Sequence, residues 1–456
     1  MHSTQRGAFL LVVTLMLSVA IAFVFALALG SPATEAARAR ATERALAEAR
    51  EALLAHAADH AINSIVGPGY LPCPDLDNDG WAEATCGSLS GDSGQAERLG
   101  RLPWKTLGLP DLRDGDGERL WYAVSTRYKG LLNCAASAAC VDMSPDVALG
   151  TITVRESTGT LVHDGTIAEA YRAAEGGAVA VVIAPGSPIG SQSRGCRAGE
   201  CDERGRCLTD PPRSAATCNP VNYLDGDNTA FVDRSDAAGR ARNADGFTHG
   251  PVVRSDGRTA VNDRIAAIGH GDVMPRVMRR VALEAAACLR SHAAAMGRYP
   301  APVPLCAQSA GGMSAWQPVD DARFGRIGNQ AWNESCNLSA PASHSWWKAW
   351  RAHVFYALRP GALETVDADS RVVSRGRDAA VIVAGSPLVR DGFVQHRDGT
   401  SLADARQWLE GTNALLEAAS GCATAPAFTC EAAGTCTRIT VAAANRSFND
   451  VVVALP

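Results

Sequence analysis

The chain has 456 residues, of which 46% are apolar and 20% charged, with 43 Gly and 23 Pro. That is enough for roughly two or three domains and too apolar for disorder, which excludes a fibre, a coiled coil and a low-complexity scaffold. Forty-three basic against 48 acidic residues leave a net charge of −5. No run of Lys and Arg builds a basic patch, so the electrostatic footprint of a nucleic-acid binder is missing.

Residues 8–29 form an uncharged apolar run, bounded by Arg6 and Gly7 on one side and by Gly30, Ser31 and Pro32 on the other. The run is long enough to cross a bilayer as one helix. Ala26-Leu27-Ala28 also looks like a signal-peptide cleavage site, but the apolar stretch exceeds the usual core of a leader, which favours an uncleaved anchor. Past Pro32 the chain is rich in Ala, Glu, Arg and Leu, with neither Gly nor Pro until Gly67. The composition predicts a long helix. Ala36, Ala39, Ala45, Leu46, Ala49, Leu53 and Ala57 make one apolar stripe on it, interrupted only by Thr42.

Fourteen cysteines in polar, loop-like sequence point to an oxidising compartment. Cys73/Cys86, Cys134/Cys140, Cys207/Cys218 and Cys422/Cys430 are close enough in sequence for local bridges, although spacing cannot fix connectivity. Zinc is the competing reading, but paired C-x2-C sets are absent. The cysteines put the N-terminus in the cytoplasm and the chain beyond about Gly30 in the periplasm, as a single-pass inner-membrane protein.

A set of phrases then occurs twice in the same order, the mark of an internal repeat. The first copy runs through Tyr70-Leu71-Pro72-Cys73, Leu102-Pro103-Trp104-Lys105, Leu120-Trp121-Tyr122-Ala123-Val124, Ala184-Pro185-Gly186-Ser187-Pro188, Tyr223-Leu224-Asp225-Gly226-Asp227-Asn228 and Val261-Asn262-Asp263. The second follows a helical segment, 274–296, with Pro304-Leu305-Cys306, Trp346-Trp347-Lys348, Val354-Phe355-Tyr356-Ala357-Leu358, Ala384-Gly385-Ser386-Pro387, Trp408-Leu409-Glu410-Gly411-Thr412-Asn413 and Phe448-Asn449-Asp450. Each copy reads as a helix followed by short strands, an α+β unit whose helix packs on an antiparallel sheet. The expected divisions are 1–30 for the cytoplasmic tip and span, 31–270 for the first unit and 271–456 for the second. Segments 190–220 and 232–258 read as stapled or flexible insertions outside the core.

Asp75-Leu76-Asp77-Asn78-Asp79-Gly80 sets carboxylates at alternate positions before a glycine, which lets one tight loop wrap a hard cation; Glu83 adds a further oxygen. Cys86 stands where an EF-hand has its bidentate Glu, so this is not that motif. A second acidic loop, Asp111, Asp114, Asp116 and Glu118, has weaker spacing and reads as a solvated turn. His56 and His60 share a helix face without a third ligand and read as solvent-facing. Ser187 lacks the surroundings of a nucleophile elbow and reads as a turn ending a strand. The tryptophans of both copies read as helix-to-sheet core, with Trp346 and Trp347 the pair expected to offer a possible binding surface.

An Arg6-Gly7 pair before an apolar helix, an amphipathic continuation, a cysteine-bearing turn and a small sheet together resemble the type IV pilins and type II secretion pseudopilins. Leu71-Pro72-Cys73-Pro74-Asp75, Leu102-Pro103-Trp104-Lys105-Thr106-Leu107-Gly108-Leu109 and Asn219-Pro220-Val221-Asn222-Tyr223-Leu224-Asp225-Gly226 are similar to a group of large pilin-like membrane proteins of proteobacteria. The resemblance implies processing between Gly7 and Ala8, packing against other pilin-like subunits through the N-terminal helix, and calcium in the acidic loop. The family usually has Glu at the fifth mature position, where this chain has Val12; some minor, tip-located members also lack it. The expected role is a non-catalytic minor pilin or pseudopilin, against the alternative of an envelope module that binds glycan or protein and enters no filament.

Overall fold

A computed structural model describes residues 13–19, 32–59, 67–86, 95–129, 143–229, 233–235, 241–243, 246–308, 316–329, 332, 336, 338, 346–390, 392–397, 401–416, 437–445 and 447–456. The fold is mixed α+β, with several small, mainly antiparallel sheets and disulfides. Among the described residues no helix is long and apolar enough to cross a membrane. Of the expected span only residues 13–19 are described; they are helical and exposed. The rest of that span, with Gly7 and Ala8, lies outside the described residues.

Helix α1, Pro32–Asp59, forms where the Ala-rich sequence predicts it. Its first turns are exposed, Ala36 and Ala39 included, and burial begins at Thr42. That residue interrupts the apolar stripe without cost because its Oγ1 accepts the Gly115 N–H at 2.9 Å. Helix α2, His270–Met296, starts where the Asp272 carboxylate accepts the Gly269 N–H at 2.8 Å and stops at Gly297 in the left-handed conformation. The buried set Thr42, Ala45, Leu46, Ala49, Leu53, Leu54 and Ala57 has the same spacing as His270, Val273, Met274, Val277, Val281, Ala282 and Ala285. The two helices pack together. Arg50–Asp272 at 2.7 Å and Arg276–Glu51 at 2.8 Å lie along their seam.

Each helix serves a four-stranded path. In the first half β1 (Leu99–Arg101), β2 (Trp121–Val124), β3 (Ala180–Ala184) and β4 (Arg264–Ile268) are neighbours in chain order and antiparallel. In the second half β5 (Phe324–Arg326), β6 (Val354–Val366), β7 (Val372–Val383) and β8 (Val451–Leu455) repeat that order, with a further strand, Arg438–Thr440, running parallel to β6.

Strand alternation sends Tyr122, Val124, Ala180 and Val182 from one sheet, and Tyr356, Val381 and Val383 from the other, into a single core around both helices. The opposite faces pack elsewhere. Trp121, Val181 and Ile183 meet Tyr223 and Phe247, and Phe355, Ala380 and Ile382 meet Trp408 and Ile439. Phe247, in the predicted insertion 232–258, therefore covers the outer face of the first sheet, which corrects the expectation that this segment stays out of the core, whereas Cys207, Ala215 and Cys218 of 190–220 form a small cluster of their own.

Candidate functional site

The acidic loop is held from both sides. Disulfide Cys73–Cys86 closes it, as the spacing suggested, and the stapled segment beyond Cys196 docks against it: Asn78 Nδ2 donates to Gly205 O at 2.8 Å and Cys207 N donates to Asp77 O at 2.7 Å. Inside the loop the buried Asp75 carboxylate accepts the N–H groups of Asn78, Asp79 and Gly80 at 2.7, 3.2 and 2.7 Å. Burial pushes its pKa up to about 7, and the neighbouring Asp77 and Asp79 add to the rise.

Asp75, Asp77 and Glu83 bring one carboxylate oxygen each within 4.8 Å of one another, and Asp79 stands outside that set. The grouping is an all-oxygen, anionic donor set of the kind hard cations take. Arg206 Nε already lies 2.7 Å from Asp77 Oδ2, so a cation there shares Asp77 with a guanidinium. Beside the loop, Trp81 is 55% exposed, with Lys105 Nζ 6.0 Å from its ring centroid.

The other sequence candidates separate clearly. Cys207–Cys218 forms as spacing allowed, while Cys196–Cys201 and Cys288–Cys336 are pairs that spacing did not single out. Cys306 is also bridged. Cys134, Cys140, Cys422 and Cys430 lie outside the described residues. Trp346 and Trp347 are 1% and 6% exposed, which corrects their reading as a binding surface: they belong to the core around the helices.

His56 is half-buried on α1, and His60 is outside the described residues. Ser187 is an exposed turn residue whose carbonyl accepts Asn262 Nδ2 at 2.7 Å. The second acidic loop is a staple rather than a free turn. Asp114 accepts the N–H groups of Asp116, Glu118 and Gly186 at 2.9, 2.9 and 2.8 Å.

Sequence reasoning passed over a polar cluster whose hydrogen bonds recur in the two halves, with Glu410 standing where the first half has Asp225. Gln192 Nε2 donates to Asp225 Oδ1 at 2.8 Å, and Gln395 Nε2 donates to Glu410 Oε1 at 3.0 Å. The Asp225 N–H and Asn228 Nδ2 both reach Asp263 Oδ2 at 2.8 Å; the Glu410 N–H and Asn413 Nδ2 both reach Asp450 Oδ2 at 3.0 Å. Asn262 Nδ2 donates to Ser187 O, as Asn449 Nδ2 does to Ser386 O.

Above each cluster an arginine gathers turn carbonyls. Arg194 reaches Gly186, Asn222 and Tyr223, and Arg397 reaches Gly385, Gln407 and Trp408. The available signal was Gln-x-Arg after each Gly-Ser-Pro, hidden because the two intervals differ in length.

The two arginines end on different partners. Arg194 pairs at 3.3 Å with Glu118 of its own half, whereas Arg397 pairs at 2.9 Å with Asp146 of the first half. Asp146 also lies 3.1 Å from His353, and burial raises its pKa less than His353 and Arg397 lower it, so it stays below its ordinary value. Next to it His270 uses both ring nitrogens, Nδ1 at 3.0 Å from Ala148 O and Nε2 at 2.7 Å from Ser386 Oγ. Burial brings its pKa down to about 4. No known protein family matches the chain, nor does any curated protein or solved structure.

Proposed function

We propose that the chain is a membrane-anchored, pilin-like structural subunit with two tandem helix-on-sheet units, a minor component of a type IV pilus or type II secretion filament in the inner membrane with its bulk in the periplasm. The carrying observation is that the uncharged run 8–29 stands directly before α1 in the sequence, and that the first turns of α1 are exposed while its later turns are buried in the shared core. Such a helix offers one end to a bilayer or to neighbouring helices and anchors the globular part with the other. Its work is packing, without catalysis. In this reading Asp75, Asp77 and Glu83 hold calcium, whose charge relieves three crowded carboxylates and ties the loop to the Cys196–Cys218 segment.

The test is the mature N-terminus, measured by mass spectrometry on protein from its own membranes. A start at Ala8, methylated, is the expected result. A start at Met1 or His2 overturns filament assembly and leaves the second reading, an envelope module binding glycan or protein, which the exposed Trp81 beside the acidic loop favours. A start near Leu29 means a released periplasmic protein and overturns both the filament and the membrane anchor.

A further inference from the structure

Each half carries a buried acceptor that its surroundings leave unanswered. Among the described residues Asp263 Oδ1 and Asp450 Oδ1 are buried without a hydrogen-bond partner, although Oδ2 of each takes two donors. The neighbouring carboxyl takes one donor on each oxygen and keeps room to accept another. Asp225 takes Gln192 Nε2 and the Asn262 N–H, and Glu410 takes Gln395 Nε2 and the Asn449 N–H. The carboxyl of Glu410 stands beside that of Asp450, and the carboxyl of Asp225 beside that of Asp263, each raising its neighbour's pKa. Two ionised carboxylates cannot satisfy such a contact; one carboxylic acid and one carboxylate can.

We propose that Asp225–Asp263 and Glu410–Asp450 are two proton-holding carboxyl pairs, each folding with one proton on the orphaned Asp oxygen, so that the clamp of each half tightens in acid and loosens as the solution turns alkaline.

The charged groups around each pair do not supply the missing donor. Arg194 and Arg397 face the pairs, but their N–H groups go to turn carbonyls, to the Gln192 and Gln395 side-chain oxygens, and to Glu118 and Asp146. His249 Nδ1 is engaged by the backbone of Ile265, and His353 lies on Asp146. Arg390 reaches the Leu409 carbonyl, and the exposed Arg406 pairs with Asp404. Burial raises the pKa of Asp263 and Asp450 well above the ordinary 3.8, with the adjacent acid adding to it. The contribution to stability is therefore whole below the ordinary carboxylate range and lost as the pH rises through the raised value.

The test compares urea denaturation of the full chain between pH 4 and 9 with that of Asp450→Asn and Asp263→Asn, whose amides imitate the protonated acid. Across the pair's titration the wild-type folded-to-unfolded ratio is expected to fall up to tenfold per pH unit for each proton, relative to a variant that has lost that step. Infrared spectra of the wild-type protein at pH 7, which need no variant, should show protonated carboxyl groups, and each folded Asn variant should show fewer. Identical pH profiles for wild type and both variants overturn the proposal. So does the absence of protonated carboxyls at pH 7, or a calcium-dependent gain in wild-type stability that either Asn variant abolishes, which would put a cation where the proton is placed.

Discussion

The two halves build the same clamp, with Glu410 in the place of Asp225, yet they close it differently. In the first, the turn after β3 is secured by the chain's own 111–119 loop, through Asp114 on the Gly186 N–H and Glu118 on Arg194. In the second, the turn after β7 is secured by a loop from the other half: Asp146 on Arg397, Pro145 O near Ser386 Oγ at 3.3 Å, and Ala148 O on His270. The difference teaches that a duplicated architecture need not be two independent modules. The first half holds its clamp alone, and the second borrows a part.

The sharpest way to break this comparison is to remove the two arginines. Arg397→Ala takes a guanidinium only 2% exposed away from three carbonyls and from a half-buried Asp146 that keeps His353, and should cost about 3 kcal/mol in urea denaturation. Arg194→Ala should cost less, because its pair with Glu118 is longer, 3.3 Å against 2.9 Å, and joins nothing outside its own half. Equal losses would dissolve the distinction.

Next come the glycines of the edge strands. A Cβ on Gly325 would lie 1.8 Å from Val303 O, and one on Gly100 would lie 2.7 Å from Asp75 O. Gly325→Ala should therefore fall at the upper end of the about 1–3 kcal/mol typical of overpacking, and Gly100→Ala below it. Melting temperatures of the pair measure the order.

His270 sharpens the comparison by pH, since Thr42 occupies its place in the first half. Folding favours its neutral form, so its contribution is whole above the ordinary 6.5 and lost as the pH falls toward about 4. Relative to wild type, His270→Thr should lose less stability between pH 7 and 5, by at most about 1.4 kcal/mol per pH unit. A parallel pair of curves would remove His270 from the joint.

The smallest expected effect is in the acidic loop, which has no counterpart in the second half. Calcium at ten times its Kd should add about 1.4 kcal/mol to the wild-type protein, and Glu83→Gln should weaken that gain. Calorimetric titration of both forms reads it directly.

Much of the architecture was legible from phrase order. Leu120-Trp121-Tyr122-Ala123-Val124 and Val354-Phe355-Tyr356-Ala357-Leu358 stand at matching places in the two copies, and they supply the corresponding strands β2 and β6. Asp225, Asn228 and Asp263 were visible as phrases with no role attached. Their role depends on contacts with Gln192 and Arg194, and side-chain networks between distant loops leave no periodicity in a sequence. The burial of Trp346 and Trp347 was missed for a related reason. A short helix of bulky residues looks like a surface until the second sheet that covers it is in place.

The borrowed loop also orders events during synthesis. Arg397 lies 251 residues beyond Asp146, and Ser386 lies 241 beyond Pro145. A ribosome delivers the first half long before either partner emerges, and domains tend to fold as they appear. The 143–148 segment can then stand ready as a template on which the later half completes its turn. Moving it behind the second half by circular permutation would reverse that order of arrival while leaving every native contact available.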